Sequence, residues 1–599
     1  MSKITSSLKI QRLLKESSQL CHSGKLSEAK EIYQLLLKSI PNHPEVLGNL
    51  GTIEIQLGNT ELGLNYLKNA IKVDFNNAVY LTNLANGLSE IREFEEALIY
   101  LDAALKCSPS ASNIFYNKAR IYKAFSKHTE AITNYQQAIR LDPKNILAYL
   151  NLGFIFNELE DYESAIKIYS KALEFESKNY ELYYNRGIAY ENLKNFKLAL
   201  QDYDQSLFFN SNLELAHFNK AGLLAKQGLY KDALTILNHA IEINPINISL
   251  YIKKAAIFEH LKKFDLALEN YDIALKINPL SPETKSKKSL LKLSLNEFSQ
   301  GWNLYDHRHW NKSKLQTSQP QLLDFNISNK TIFLWAEQGL GDQIIYASLL
   351  PDAFKTKNHF YVSLEPRLLP LFKRSFFSVN NVTFISDAEK LLDSKYDYQL
   401  PIGSLGKFFR NSIEDFSSQP TSYLKADEMK SNLLNLKIKK NKQNICGIAW
   451  MSKNKEFGEE KSLSLTQLLP ILSVPNTVFI NLQYGETSKE LKNISDQYGI
   501  EIISIDEIDN FNDIDGLASL IEACDYIVTS SNVTAHIAGA LNKKTYLLLP
   551  YAYGKIWYWG ENDTHSLWYP SIEIYRNTNS NSWEKPIADL SERLRVDYA

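Results

Sequence analysis

The segment YLNLGFIFNELEDYESAIKIYSKA (residues 149–172) is matched 34 residues later by YYNRGIAYENLKNFKLALQDYDQS (residues 183–206). Each copy carries a glycine near its start and an alanine twelve positions after that glycine. The same two small positions recur along the first half of the chain: Gly51, Ala85, Ala119, Gly153, Gly187, Ala221 and Ala255, then Gly63, Ala97, Ala131, Ala165, Ala199, Ala233 and Ala267. A fixed period of this length predicts stacked pairs of antiparallel helices that pack too closely at their crossing for any larger residue.

Large residues and prolines recur with the same 34-residue period. Large residues that fill the gap to the next unit are Tyr33, Leu67, Leu101, Tyr135, Tyr169, Tyr203, Leu237 and Tyr271, and prolines stand at Pro41, Pro109, Pro143, Pro245 and Pro279. Proline cannot donate the helical hydrogen bond, so each one predicts the end of a second helix. The pattern resembles the tetratricopeptide repeat over residues 8–310, which implies an all-α superhelix ending in a degenerate unit at residues 287–310.

Asparagine stands two residues before the first small position in six successive units: Asn49, Asn83, Asn117, Asn151, Asn185 and Asn219. On stacked helices these amides predict a ladder along the inner face of the superhelix. A primary amide both donates and accepts, which suits it to bind the backbone of an extended peptide. This ladder resembles that of the O-linked N-acetylglucosamine transferase, which implies a protein acceptor. The alternative is that the asparagines support packing between repeats.

After residue 320 the pattern changes to alternating strands and helices. Strands are predicted at residues 331–335, 359–364, 382–385, 396–400, 445–450, 477–482, 500–505, 525–529 and 545–549. Strands that alternate with helices predict parallel sheets, and two such sets predict two Rossmann-like lobes. We therefore expect a superhelix at 1–310 and lobes at 320–430 and 440–599, with the lysine- and asparagine-rich segment 430–444 as a link.

Two loops after predicted strands carry candidate chemistry, because parallel sheets bind ligands at the carboxyl ends of their strands. The first is GLGD (339–342), where glycine permits close approach of a ligand and Asp342 either acts on it or merely favours the helix dipole. The second is SSNVTAH (530–536), which places hydroxyls and backbone N–H groups at a helix start. Such a start binds phosphate or is a plain N-cap.

Together these motifs resemble the bacterial heptosyltransferase-like family of GT-B glycosyltransferases over residues 320–595. The match continues through TSYLKAD (421–427), GIAW (447–450), NLQYGE (481–486), DIDGLASLIEACDYIV (513–528) and LLPYAYGKIWYWG (548–560). The resemblance implies an α/β GT-B domain that transfers a sugar from a nucleotide diphosphate sugar, with inversion.

The resemblance also implies roles for individual residues. Asp342 would be the general base for the acceptor hydroxyl, with Glu337 as the alternative carboxylate. Lys461, beside Ser462, would stabilise the leaving diphosphate, with Lys453 and Lys455 as nearby substitutes; each of these lysines is alternatively a solvated surface residue. The remaining implied donor contacts are Gly339, Gly341, Gln483, Glu486 or Glu490, Asn512, Ser531, Asn532, Val533, Thr534 and His536. Within that set, Glu486 or Glu490 would bind the ribose, Asn512 would lie near the base, and His536 either touches phosphate or holds the loop.

One position departs from the family, which has aspartate where this chain has Ser531. The loss of that carboxylate implies a donor sugar other than the heptose, or an inactive domain. The aromatic residues after Pro550 are Tyr551, Tyr553, Trp557, Tyr558, Trp559, Trp568 and Tyr569. They either stack on sugar or pack the chain where it crosses between lobes.

Composition and charge exclude several other kinds of partner and site. The net charge of -2 over 599 residues gives no electrostatic reason to expect nucleic acid. The four cysteines are scattered and predict neither disulfides nor a zinc site, and no metal or cofactor is expected. No signal peptide or membrane-spanning run is evident, so we expect a cytoplasmic protein.

The sequence thus predicts a glycosyltransferase whose repeats recruit a protein or glycoconjugate acceptor, with a homo-oligomer possible. A non-catalytic interaction scaffold with a vestigial nucleotide-binding domain is the alternative, and a GT-B-like epimerase is a third.

Overall fold

The structure is a computed structural model that describes residues 2–309, 315–337, 339–386, 391–439, 443–452, 458–551, 556–561, 563–577 and 582–598. The chain forms two compact units, Met1–Asn244 and Pro245–Ala599. The first unit contains repeat helices only. The second contains the last repeats and all of the described strands.

The repeat region consists of consecutive helices joined by short turns. In the first unit they are α1 (Ser2–His22), α2 (Leu26–Ser39), α3 (Pro44–Gln56), α4 (Thr60–Val73), α5 (Ala78–Glu90), α6 (Phe94–Cys107), α7 (Ser112–Ala124), α8 (His128–Leu141), α9 (Ile146–Glu158), α10 (Tyr162–Phe175), α11 (Tyr180–Asn192), α12 (Phe196–Phe209), α13 (Glu214–Lys226) and α14 (Tyr230–Ile243). The second unit begins with α15 (Ile248–His260), α16 (Phe264–Ile277), α17 (Pro282–Ser294) and α18 (Phe298–Tyr305), followed by a helical turn, Asp306–His309.

The small residues lie at the helix crossings, as the period predicts. A Cβ added to Gly63 on α4 would lie 2.6 Å from the carbonyl oxygen of Gly51 on α3, and one added to Gly51 would lie 2.8 Å from that of Gly63. The prolines also act as predicted: α2, α6, α8, α14 and α16 each end two residues before one. The close crossing and these five helix ends therefore agree with the predicted roles of the small residues and the prolines.

The α/β region of the second unit follows the repeats. Its strands are β1 (Thr331–Trp335), β2 (His359–Ser363), β3 (Val382–Ile385), β4 (Tyr398–Pro401), β5 (Asn444–Ala449), β6 (Thr477–Asn481), β7 (Ile502–Ile503), β8 (Tyr526–Ser530), β9 (Thr545–Leu549) and β10 (Ile572–Arg576). Its α-helices are α19 (Leu340–Ala347), α20 (Leu350–Phe354), α21 (Leu369–Ser375), α22 (Gly406–Phe409), α23 (Glu428–Ile438), α24 (Gly458–Lys461), α25 (Leu469–Leu472), α26 (Ser488–Tyr498), α27 (Ile514–Ala523), α28 (Val533–Ala540) and α29 (Glu584–Tyr598).

The strands form two sheets, and every pairing between two of these described strands is parallel. The first has the order β3-β2-β1-β4 and the second β10-β9-β8-β5-β6-β7. Counted within the second sheet and read from its β7 edge, that order is 3-2-1-4-5-6, the doubly wound order in which ligands bind where the strand order reverses. Here that reversal lies between β5 and β8. The predicted parallel sheets are confirmed.

The structure differs from the predicted elements in three places. The strand predicted at 500–505 is reduced to Ile502–Ile503, and β10 was not predicted. The expected link at 430–444 is largely helical, because α23 spans Glu428–Ile438. Buried Leu434 and Ile438 on α23 give this segment an apolar face that packs in the same core as Leu517 of α27.

Candidate functional site

The GLGD loop connects β1 to α19. Asp342 lies in the first turn of α19, where its Oδ2 accepts the backbone N–H of Gly339 at 3.2 Å. Its side chain is half-buried. Burial, and then the negative charge of Asp342, raise the pKa of the Tyr558 hydroxyl. Asp342 therefore caps its own helix and also lies close to an aromatic residue that follows β9.

The second loop connects β8 to α28. Asn532 is the N-cap of α28: its Oδ1 accepts the Thr534 N–H at 2.9 Å and the Thr529 hydroxyl at 3.1 Å. Its Nδ2 donates to the carbonyl oxygen of Met451 at 3.4 Å. Met451 follows β5, so this bond joins the loop after β8 to the loop after β5. The strand order of the second sheet reverses between these two strands.

The two loops contact each other through Gly341 and His536. A Cβ added to Gly341 would lie 2.7 Å from Cδ2 and 3.0 Å from Nε2 of the His536 ring. That ring is buried, with Nδ1 3.1 Å from the Tyr569 hydroxyl and Nε2 3.1 Å from the Tyr558 hydroxyl. Burial, and then the charge of Lys461, lower the pKa of His536 to about 3, so the ring is neutral. Both ring nitrogens contact tyrosines, which favours the alternative in which His536 holds the loop.

Glu337, the alternative carboxylate, lies two residues before the GLGD loop. It is buried, pairs with Arg308 and accepts the Gly403 N–H at 3.0 Å. The sequence did not identify Arg308 as a partner, since the two residues belong to different predicted domains.

Lys461 is buried and lies near enough to His536 to lower its pKa. The alternative that Lys461 is a solvated surface lysine is therefore wrong. Ser462 accepts the Ser452 N–H at 3.0 Å and donates to the Gly458 carbonyl oxygen at 2.6 Å. These bonds tie the loop after β5 to the end of α24. Lys453 and Lys455 lie outside the described residues.

The residues expected near the nucleoside separate into buried and exposed positions. Gln483 is buried, and its Oε1 accepts two backbone N–H groups of the loop after β5. Glu490 has both oxygens engaged, one by the Trp450 indole N–H at 3.0 Å. Glu486 and Asn512 are exposed; Glu486 accepts the N–H of the nearby Ser488, and Asn512 donates to Asp509. Of the two glutamates, Glu486 is the better placed for a ligand.

Ser531 accepts the indole N–H of Trp559 at 3.0 Å, and Trp559 stacks on His536 with ring centroids 5.2 Å apart. The described aromatic residues at 557–559, 568 and 569 are all buried. The packing interpretation of this cluster is therefore favoured. Tyr551 is half-buried, and Tyr553 lies outside the described residues.

Two hydroxyl groups of the second loop, SSNVTAH (530–536), have no partner in the part of the chain that the structure describes. Ser530 Oγ and Thr534 Oγ1 are buried, and no hydrogen-bond partner for either exists among the described residues. Val533 between them is half-buried. Buried polar groups are rarely left without a partner, so both hydroxyls are candidates for a hydrogen bond to a ligand or a water molecule.

The asparagine ladder of the first unit makes contacts within the repeat stack. Four amides donate to hydroxyl oxygens on neighbouring helices: Asn49 to Tyr33 (2.9 Å), Asn83 to Thr52 (2.9 Å), Asn151 to Tyr116 (3.5 Å) and Asn219 to Tyr184 (3.1 Å). Asn117 accepts from Arg120 at 3.5 Å, and Asn185 is half-buried. These bonds support the packing alternative. A cavity of about 400 Å³ nevertheless opens beside Asn83 and Asn117.

Across the parts of the chain that the structure describes, no three histidine, cysteine or acidic side chains are grouped as metal ligands. None of the described helices is both long and apolar enough to cross a bilayer.

Comparison with known proteins identifies the repeats. Models of the TPR repeat match residues 119–160 and 155–194, and models of the tetratricopeptide repeat match residues 44–77 and 215–247. The chain is 26% identical over 326 residues to Protein FlbA of Caulobacter vibrioides, which covers 51% of this chain and 54% of FlbA. The chain thus spans about half the length of this curated relative.

Solved structures of repeat proteins are also similar. A tetratricopeptide repeat protein from Parabacteroides merdae is 18% identical, with a TM-score of 0.33, and covers 41% of this chain and 98% of its own. MamA is 20% identical, with a TM-score of 0.26, and covers 28% of this chain and 92% of its own. The family models show that the chain carries tetratricopeptide repeats, and a region of two parallel sheets follows them.

Proposed function

We propose that the α/β region transfers a sugar from a nucleoside diphosphate sugar to a protein or glycoconjugate acceptor that the repeats recruit. The observation that carries the proposal is the contact of Gly341 with His536, which brings the GLGD loop against the helix start that follows β8. Both loops follow the carboxyl ends of parallel strands, where such sheets bind ligands.

In the proposed reaction, the acceptor oxygen bonds to the anomeric carbon as the bond from that carbon to the phosphate oxygen breaks. Asp342 takes the proton of the attacking hydroxyl. The diphosphate leaves with its charge stabilised by Lys461 and by the N-terminal N–H groups of α28, without a metal ion. The buried hydroxyls of Ser530 and Thr534 would gain a partner from a bound ligand.

The donor pocket in this proposal is neutral at Ser531, whose hydroxyl accepts from Trp559. The transferred sugar therefore differs from the heptose that the aspartate-bearing relatives use. Glu486, exposed after β6, takes the ribose hydroxyls.

The repeats supply the acceptor site in the same proposal. The cavity beside Asn83 and Asn117 is also lined by Thr52, Asn86 and Arg120, so its surface is rich in amides and hydroxyls. Such a surface suits an extended peptide backbone.

A non-catalytic scaffold is the second candidate function. It is favoured by the contacts of the two carboxylates, since Asp342 accepts the Gly339 N–H and Glu337 is paired with Arg308. In that case the repeats alone would carry the function.

Calorimetric titration with nucleoside diphosphates and their sugar esters separates the two functions. We expect saturable binding of one diphosphate sugar, weakened at least tenfold in the Ser531→Ala/Asn532→Ala variant. Asn179→Ala is the matched control, because it removes an N-cap from α11 in the first unit. An Asp342→Asn variant should bind the donor and fail to transfer. If the folded protein binds nothing in the panel, the scaffold function is favoured and the transferase proposal fails.

A further inference from the structure

A buried ion pair joins the last repeat to the loop that precedes Asp342. Arg308 lies in the helical turn after α18, and Glu337 lies just after β1. Their side chains are 3% and 2% exposed. The Arg308 Nε donates to Glu337 Oε2 at 2.9 Å, and Nη2 donates to Oε1. This bidentate geometry fixes the carboxylate in both position and orientation.

The pair also contacts a third segment of the chain, the turn after β4. Gly403 donates its N–H to Glu337 Oε1 at 3.0 Å, and Arg308 Nη2 donates to Ser404 Oγ at 3.1 Å. Ser404 in turn donates to Asp306 at 2.6 Å. A buried charge network stabilises one arrangement only when its members are satisfied, and here each member has several partners.

A second contact ties the same repeat to α19. The hydroxyls of Tyr305 and Tyr346 are hydrogen-bonded, and both rings are buried. Tyr346 lies four residues after Asp342, so the two side chains share one face of α19. The end of the last repeat therefore holds α19 through Tyr346 and the loop before it through Glu337.

We propose that Arg308 is a positioning residue for the candidate site: by holding Glu337 it orders the loop that presents Asp342. The inference rests on the proposed transferase function. Arginine suits this task because its guanidinium is always charged and presents a rigid fork to a carboxylate. Without it, the buried Glu337 carboxylate would lose its countercharge, and the loop would rearrange to reach water. The last repeat is in this sense a part of the site.

Hydrogen–deuterium exchange tests the positioning directly, whether or not the protein has activity. In Arg308→Met we expect amides of residues 339–347 to exchange at least tenfold faster. Arg308→Lys should fall between this variant and the wild type, because lysine keeps the charge and loses the fork. Arg186→Met is the matched control: Arg186 pairs bidentately with Asp202 in the first unit, at 2.7 and 2.8 Å. It should leave residues 339–347 within twofold of the wild type.

Kinetics then test the consequence for the reaction. We expect Arg308→Met to lower kcat at least tenfold while the Kd for uridine diphosphate or thymidine diphosphate, whichever binds, stays within twofold. Binding of the nucleoside diphosphate without its sugar is spared because the groups proposed to hold the diphosphate, Lys461 and the start of α28, follow strands of the second sheet. A general loss of packing would instead lower kcat and raise the Kd together.

Unchanged exchange at 339–347 in folded Arg308→Met, or an equal rise along the whole chain, overturns the proposal. If Arg308→Met does not fold, Arg308→Lys decides instead: exchange at 339–347 no faster than in the wild type overturns the proposal. Faster exchange at 339–347 in a protein that binds no nucleotide would leave the positioning role standing and would remove the transferase function.

Discussion

Gly341 and His536 bring the two candidate loops into close contact. The glycine leaves no room for a side chain, because a Cβ there would lie 2.7 Å from the imidazole. The imidazole cannot move aside easily, since hydroxyls of Tyr558 and Tyr569 contact its two nitrogens and Trp559 stacks on its face. The close approach of the loops thus depends on one missing methyl group.

We expect Gly341→Ala to lower the free energy of unfolding by about 1–3 kcal/mol, because the methyl group overpacks the contact. The control is Gly339→Ala, where the new Cβ would meet only Asp342 Oδ2 at 3.6 Å. Its backbone is extended, so the control should stay within about 0.5 kcal/mol of the wild type. Urea unfolding checks both variants. Equal stability of the two would show that the contact with His536 is loose.

His536 should make stability depend on pH. Its pKa is lowered from 6.5 to about 3, so the unfolded chain binds a proton that the folded protein excludes. Burial of the neutral His536 ring therefore costs no stability above pH 6.5. As pH falls from 6.5 towards 3, the free energy of unfolding falls by about 1.4 kcal/mol per pH unit. Unfolding experiments at pH 7 and pH 5 should show wild type losing about 2 kcal/mol more than His536→Gln. Parallel losses in the two proteins would contradict this assignment.

Each repeat is a pair of helices whose crossing is set by two small residues. At the crossing of α3 and α4 the opposing groups are backbone carbonyls of Gly51 and Gly63, which have no rotamer to change. At the crossing of α9 and α10, a Cβ on Gly153 would instead meet the side chain of Tyr169. The tolerance of a crossing to a methyl group therefore depends on what faces it.

We expect Gly63→Ala to cost about 2 kcal/mol of unfolding free energy, because its Cβ would lie 2.6 Å from the carbonyl oxygen of Gly51 and the helices must separate. Gly58→Asn is the control, since Gly58 has a φ of +84 with no neighbouring atom within 4 Å, and asparagine tolerates that backbone conformation. Thermal unfolding followed by circular dichroism measures both. A smaller loss in Gly63→Ala than in the control would show that the crossing adapts.

The compact units of the molecule do not coincide with the change from repeats to strands. The second unit begins at Pro245 and includes α15 to α18. In it, Trp302 of α18 donates its indole N–H to the carbonyl oxygen of Arg410 at 2.6 Å and packs against Trp557. Its core includes residues of the last repeat as well as of both sheets. The last repeats therefore belong to the folding of the α/β region.

A fragment of residues 245–599 should unfold cooperatively, whereas a fragment of residues 315–599 should aggregate or lose its near-ultraviolet circular dichroism. The shorter fragment lacks Trp302, Tyr305 and Arg308, and loss of the buried Trp302 contacts alone costs about 3–5 kcal/mol. Glu337 would also remain buried without its countercharge. A folded 315–599 fragment as stable as the longer one would refute this division of the chain.

The repeat helices and their crossings follow from the amino-acid sequence, because the small residues that permit the crossings recur at a fixed spacing of 34 residues. The alternation of strands and helices predicts the parallel sheets, because a helical crossover returns the chain to run parallel to the preceding strand, and it places Asp342 and Asn532 on loops after strands. No local pattern pairs Arg308 with Glu337, Gly341 with His536 or Ser531 with Trp559. Those contacts follow no repeating spacing, and they arise only when the sheets and the last repeat pack into one core, which excludes water from Arg308 and Glu337.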